Sequence, residues 1–193
     1  MTQKIFSRLL ISLLLTAVFT STHTLYARAS STERDHLTEQ EADLVREAQQ
    51  LDKRTAVFIK AIDRRLLVLS GANAAASKDV QKDTEKWGEL PTGTRAELLE
   101  DIARILDEAV TNIDDLSARD ANNPLIPKSL RLLSEASQRF VTRFTELRAK
   151  TEKHDERAPL EDALENAQAI IEAATKLPPP PPKEKKSKEK KSS

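Results

Sequence analysis

The stretch LTEQEADLVREAQQLDKRTAVFIKAIDRRLLVL, from Leu37 to Leu69, decides the fold that this sequence predicts. Apolar residues recur in it at alternating steps of three and four, with few exceptions: Leu37, Leu44, Ala48, Leu51, Phe58, Ile62, Leu66 and Leu69. This period places them along one side of an α-helix. A single helix of that length extends roughly 50 Å, so other long helices must lie beside it to bury its apolar side.

Three further segments repeat this period and supply those partners. The second helix follows Thr94 and ends at residues 120–124, the third begins at about Lys128, and the fourth begins at Pro159 after a turn at residues 153–155. Their apolar stripes are Leu98, Ile102, Ile105, Leu106, Ala109, Ile113 and Leu116; Leu130, Leu133, Phe140, Phe144 and Leu147; and Leu160, Ala163, Leu164, Ala167, Ile170, Ile171, Ala174 and Leu177.

Short sequence signatures mark the helix ends. Thr38 with Glu41, and Thr94 with Glu97, have the spacing of a capping box, in which each side chain binds a free backbone N–H of the first turn. Gly71 is expected to end the first helix in the left-handed conformation.

The connection over residues 71–93 is less regular. We expect a short helix from Ser77 to Trp87, ended by the GELP stretch at residues 88–91. In an alternative interpretation, the alanines at 72 and 74–76 carry the first helix past Gly71. The orientation of this connection stays open.

Together these segments predict an all-α fold over residues 37–177. The most economical arrangement is an antiparallel, up-and-down four-helix bundle of coiled-coil type, with a short extra helix between the first and second long helices. If the first and third helices run in the same direction, Phe58, Phe140 and Phe144 lie at one height. They then form the bulkiest core layer or, alternatively, line an apolar pocket.

The N-terminal residues 1–29 have the pattern of a cleaved signal peptide. Lys4 and Arg8 precede an apolar run from Leu9 to Phe19, and residues 27–29, Ala-Arg-Ala, form a small-x-small cleavage site. The run spans about half of a ~30 Å hydrocarbon core, so we expect no stable transmembrane anchor after cleavage. An uncleaved anchor is the alternative. Residues 30–36 are expected to be a disordered leader.

Composition narrows the compartment and the partners. The chain contains 0 Cys and no Asn-x-Ser/Thr sequence, which excludes disulfides and a thiol nucleophile and favours a bacterial periplasm or exterior over a eukaryotic secretory route. Residues 30–177 carry a net charge of −7, which argues against a nucleic-acid partner.

The sequence carries no motif for catalysis, and we expect no enzyme, cofactor or metal. Glu33 and His36 have the Glu-x-x-His spacing of di-iron bundles, but a second copy is missing from the sequence and His154 is expected at the opposite end of the bundle. The carboxylates of the second and fourth helices are expected on outward faces: Glu97, Glu100, Asp101, Asp107, Glu108, Glu161, Asp162 and Glu165.

Polar residues Thr55, Arg65 and Ser137 interrupt the apolar stripes, and Arg65 is expected to extend its charged end to solvent beside Leu66. Trp87 either plugs the end of the bundle or offers a contact to a partner.

The C-terminal tail from residue 178 to 193 is Pro-rich and then Lys-rich, with a net charge of +4, and is expected to be disordered. It is either a solubilising end or a tether that brings cations to an anionic envelope surface. The candidate contact residues of the tail are Lys185, Lys186, Lys188, Lys190 and Lys191.

These features favour an exported, non-catalytic helical-bundle protein of the bacterial envelope or exterior. We expect it to act through contacts with a protein or an anionic surface. The alternative is a module that binds an apolar small molecule or lipid between its helices, near Phe58, Phe140 and Phe144.

Overall fold

The described part of the chain is all-helical, as predicted. The structure is a computed structural model that describes residues 34–71 and 78–179; for residues 78–82 only the backbone is described. In this part of the chain there are six α-helices and no strand: α1 (Glu39–Glu47), α2 (Leu51–Leu69), α3 (Lys78–Trp87), α4 (Arg95–Arg119), α5 (Leu125–Lys150) and α6 (His154–Thr175).

The first long helix is broken, so the prediction of one helix from Thr38 to Ser70 is wrong. Ala48 has φ −74° and ψ 84°, outside the helical region, and Gln50 is extended. The apolar spacing continues through residues 48–51, which is why periodicity did not reveal the break. Arg54 donates from Nε to the Ala48 carbonyl oxygen at 3.2 Å and satisfies the end of α1. Since Glu41 contacts Arg65, α1 folds back along α2.

The capping predictions are confirmed. Thr38 and Thr94 form complete capping boxes with Glu41 and Glu97. Gly71 has φ +66°, as expected for a residue that follows a helix end.

α3 ends at Trp87, as the GELP stretch predicted, and Gly88 after it also has φ +66°. A Cβ added to Gly88 would lie 2.8 Å from Cδ of Gln40, so α1 approaches this turn closely.

Two helices begin earlier than expected. α5 begins at Leu125 rather than at Lys128, and α6 begins at His154 rather than at Pro159. The connection between α5 and α6 therefore lies at residues 151–153, earlier than the turn expected at residues 153–155. Asp155 and Glu156 belong to the first turn of α6, where the helix dipole favours acidic side chains. Pro159 lies inside α6.

The four long helices form a helical bundle around one apolar core. α2 packs against α4 and α5, and α6 packs against the same two helices. Polar contacts show which ends meet. In the pair of α2 and α4, Arg54 binds Asn112 at 2.9 Å, and in the pair of α5 and α6, Arg148 binds Glu161 at 2.7 Å.

Candidate functional site

Two arginines and two carboxylates lie buried together beneath α1. We call Glu41, Arg64, Arg65 and Asp101 the buried charge cluster; their exposed fractions are 0%, 4%, 1% and 4%. They come from α1, α2 and α4. A charge taken out of water is tolerated when opposite charges and hydrogen bonds replace its hydration, and the cluster contains equal numbers of both signs.

The Arg65 guanidinium donates four hydrogen bonds and forms ion pairs with both carboxylates of the cluster. Nε pairs with Asp101 Oδ2 at 3.2 Å, and the two Nη atoms reach Glu41 Oε1 at 3.2 Å and Oε2 at 3.0 Å. The guanidinium also donates from Nη1 to the carbonyl oxygen of Ala61, at 2.8 Å, and from Nη2 to that of His36, at 2.5 Å. The expectation that Arg65 extends to solvent is therefore wrong, as is the outward placement of Asp101.

Arg64 attaches the turn after α3 to α2. Its Nη1 donates to the Trp87 carbonyl oxygen at 2.5 Å, and its Nη2 donates to those of Gly88, at 3.0 Å, and Glu89. These carbonyls lie at the end of α3, where no intrahelical donor is left for them. The guanidinium lies 5.8 Å above the Trp87 ring. The pKa of Arg64 is lowered from its ordinary value, mainly by burial, although Glu41, 3.5 Å from Nε, acts in the opposite direction.

The chemistry of the cluster is that of a clamp. Both carboxylates pair with Arg65, and Glu41 also lies 3.5 Å from Arg64 Nε. The cluster fixes α1, the start of α4 and the turn after α3 on one side of α2. Sequence reasoning missed this arrangement, although an arginine on an apolar stripe (Arg65) was the visible sign of it.

His36 and Glu108 form a second, shallower pair. His36 Nε2 lies 2.7 Å from Glu108 Oε2, and the histidine side chain is 20% exposed. The last residue of the predicted leader is thereby held against α4. His154 is exposed at the start of α6, and Glu33 lies outside the described residues. Within residues 34–71 and 78–179, no three His, Asp or Glu side chains are grouped so as to hold a metal ion.

Two aspartates on α2 have opposite electrostatic environments. Asp52 is 5% exposed, and a hydrogen bond from Lys128 Nζ at 2.6 Å lowers its pKa below the ordinary 3.8. Asp63 is half-buried, and burial raises its pKa, with Arg139 and Lys60 acting in the opposite direction.

The remaining predicted site residues divide into three groups. Phe58, Phe140 and Phe144 are 0%, 1% and 0% exposed and belong to one core, where the rings of the last two have centroids 6.1 Å apart. Trp87 is 9% exposed and packs beneath Arg64. The tail lysines, Lys185 to Lys191, lie outside the described residues, as does the predicted signal peptide.

Exposed charges are segregated between pairs of neighbouring helices. Counting charged side chains that are not buried, α2 and α5 carry nine basic and three acidic residues. By the same count, α4 and α6 carry four basic and eleven acidic residues, with His154 left aside. We call the first pair the basic side and the second the acidic side. On α5 alone, Arg139, Arg143, Arg148 and Lys150 are all exposed.

A groove lies on the basic side between the C-terminal halves of α2 and α5. It consists of two adjoining cavities of about 570 and 370 Å³ that share Leu66, Ser70, Arg143 and Glu146. Leu67, Phe140 and Leu147 add apolar surface to its floor. Phe140 is the member of the predicted apolar trio that lines this groove, whereas Phe58 and Phe144 do not appear among its lining residues.

No protein-family model, curated protein sequence or solved structure matches this chain. Among the helices of the described part of the chain, none combines the length and apolar character needed to cross a membrane.

Proposed function

We propose that this chain is an exported, non-catalytic protein of the bacterial envelope that attaches to anionic surfaces through its basic side. The observation that carries the proposal is the segregation of exposed charge, with α5 at the centre of the basic side. The pattern of residues 1–29 supports export, and the proposal places the processed protein in the periplasm or outside the cell.

The physical basis is electrostatic. Each Lys or Arg near an anionic membrane surface contributes about 1 kcal/mol to binding, and the contribution falls with distance and salt. Exposed cations on one rigid helix can approach such a surface together, while the acidic side is directed away from it. A bundle with a negative net charge can therefore bind an anionic surface, because the surface interacts mainly with the basic side that faces it.

We further infer that α2, α4, α5 and α6 form an antiparallel, up-and-down four-helix bundle. The start of α2 lies beside the C-terminal half of α4 in the Arg54–Asn112 contact, and beside the start of α5 in the Asp52–Lys128 contact. Such pairings of ends support alternating helix directions. In this arrangement α4 and α5 lie across the bundle from one another, since each packs mainly against α2 and α6.

Vesicle binding tests the surface proposal. The purified chain should sediment with vesicles of anionic phosphatidylglycerol in about 0.05 M salt and be released in about 0.5 M salt, where the Debye length becomes short. It should not sediment with zwitterionic phosphatidylcholine vesicles. Equal binding to both lipids, or binding that is insensitive to salt, would contradict the proposal.

Deletion of residues 183–193 separates the tail from the bundle. If α5 is the principal contact, the shortened chain keeps most of its affinity for anionic vesicles. An unchanged affinity would also reject the tether hypothesis for the tail, whereas complete loss of binding would reject α5 as the contact.

Export is tested by cell fractionation with N-terminal sequencing. The proposal expects the protein in the envelope or exterior fraction, starting at Ser30. A cytoplasmic protein that retains residues 1–29 would reject it.

The groove between α2 and α5 favours a second candidate function, the binding of an apolar small molecule or lipid. Since Phe58 and Phe144 are fully buried in the core, the candidate site moves from the centre of the bundle to its basic surface.

A further inference from the structure

The groove between α2 and α5 combines an apolar floor with a cationic edge. Leu66, Leu67 and Leu147 are half-buried rather than fully covered, so the floor remains accessible. Arg139 and Arg143 line the larger cavity, and Arg143 and Lys150 line the smaller one. An anionic amphiphile matches this combination, because its chain requires apolar surface and its head group requires a cation.

The two ends of the groove differ in charge. At the end near Phe140, Asp63 lies beside Arg139 and offsets its charge. At the opposite end, Arg95, Arg143 and Lys150 line the smaller cavity together with Glu146. Glu146 pairs with Arg143 at 3.3 Å and Glu156 pairs with Arg95 at 3.2 Å, so the attraction for a head group at this end depends on Lys150. An anionic head group is therefore favoured at the Lys150 end, with the chain lying over Leu66 and Leu67 toward Phe140.

The dimensions favour a single chain. Residues 139–150 of α5 rise about 16 Å and residues 63–70 of α2 about 10 Å along the groove. The larger cavity, about 570 Å³, lies within the range of small-molecule sites, roughly 300–1,000 Å³. We infer that this groove binds a free fatty acid, with its carboxylate at Lys150 and its chain on Leu66 and Leu67.

This inference deepens the proposed function because the groove belongs to the same basic side, and it can fail separately. The test is a calorimetric titration of the purified chain with sodium dodecanoate below its micelle concentration. Saturable binding of one equivalent is expected, while dodecyltrimethylammonium, with the opposite charge on the same chain, should not bind.

Two exposed threonines on α5 provide a matched pair of variants. Thr142 lines the groove, whereas Thr145 does not appear among its lining residues; each donates from its hydroxyl to the carbonyl oxygen four residues earlier. Thr142→Trp fills the groove and should weaken dodecanoate binding at least about tenfold, while Thr145→Trp should leave it unchanged within about twofold. Lys150→Gln should weaken it several-fold.

The outcomes separate the two proposals, because neither threonine variant alters the charge that vesicle binding depends on. Vesicle binding without dodecanoate binding overturns the groove inference alone, and dodecanoate binding without vesicle binding overturns the proposed function alone. Equal loss in both threonine variants also overturns the groove inference. So does a dimer in light scattering that Thr142→Trp disrupts, since a second copy would then cover the groove.

Discussion

Charges inside this molecule and charges on its surface follow different rules. In the buried charge cluster, two arginines meet two carboxylates, with N–O distances from 3.0 to 3.5 Å. On the surface, basic residues collect on α2 and α5 and acidic residues on α4 and α6.

The two distributions have different causes. Burial requires local compensation, because an unpaired charge in the interior costs several kcal/mol. Water and salt remove most of that constraint at the surface, where a single ion pair contributes roughly 0 to 1 kcal/mol. The stability of the fold thus explains why each buried charge is paired with an opposite charge. Segregation outside is not required by stability, and this makes it the feature that points to function.

The largest loss of stability is expected when one member of the buried charge cluster is replaced by an apolar residue. Arg65→Met leaves Glu41 and Asp101 buried without their principal partner, and should lower the free energy of unfolding by about 3–5 kcal/mol. Urea denaturation measures the loss. Arg143→Met, on the exposed part of α5, is the control and should change stability by less than about 0.5 kcal/mol. Similar changes in the free energy of unfolding for the two variants would contradict the claim that buried charges need paired partners and exposed charges do not.

A smaller effect is expected when the shape of the cluster is kept and one charge is removed. Glu41→Gln keeps the side chain length but weakens its bonds to Arg65 and Arg64, at an expected cost of about 1–3 kcal/mol. Glu39→Gln in the same helical turn is the matched control, because Glu39 is exposed. If Glu41→Gln stabilised the protein, the charge of Glu41 would oppose the packing of α1 against α2 instead of stabilising it, which would contradict the role of the cluster as a clamp.

Asp52 and Asp63 sharpen the comparison through pH. The folded-state pKa of Asp52 is lowered, so its contribution to stability is present above the ordinary value of 3.8 and is lost as the pH falls through the folded-state pKa. Asp52→Asn should therefore cost about 1 kcal/mol at neutral pH, a modest value because Lys128 is exposed. The difference from the parent protein should disappear in acid.

Asp63 should behave in the opposite way. Its folded-state pKa is raised above 3.8, so the charged form opposes folding at neutral pH and this cost disappears as the pH falls toward 3.8. Asp63→Asn should stabilise the protein slightly at neutral pH and have no effect in acid. Urea denaturation at several pH values measures both variants; two changes of the same sign would contradict this account.

The sequence predicted the helices better than it predicted the charges. Apolar periodicity and capping boxes depend on residues three or four positions apart, so α4 and the ends at Gly71 and Gly88 could be located correctly. The contact of Glu41 with Arg65 joins residues 24 positions apart, and no local pattern reports it. Because α1 folds back at residues 48–50, it covers Arg65. Asp101, which pairs with Arg65 at 3.2 Å, is buried with it.

The surface distribution was hidden for a related reason. A whole-chain count of 31 basic and 31 acidic residues averages over helices. The segregation becomes visible only when it is known that α2 neighbours α5 and α4 neighbours α6. Phe58, Phe140 and Phe144 were expected in one layer, and all three are buried in the core, but the accessible groove beside Phe140 depends on the spacing of α2 and α5.

The smallest effect on stability is expected from changes on the basic side, and there the effect on binding should be largest. The most direct measurement compares two double variants of the chain lacking residues 183–193, by sedimentation with phosphatidylglycerol vesicles at low salt. Arg139→Glu with Arg143→Glu reverses two charges on the basic side, and Arg119→Glu with Arg157→Glu makes the same change in net charge on the acidic side. The first variant is expected to bind at least about tenfold more weakly than the parent, and the second less than about threefold more weakly. Equal losses would show that net charge alone governs binding, and would contradict the assignment of the basic side as the contact surface.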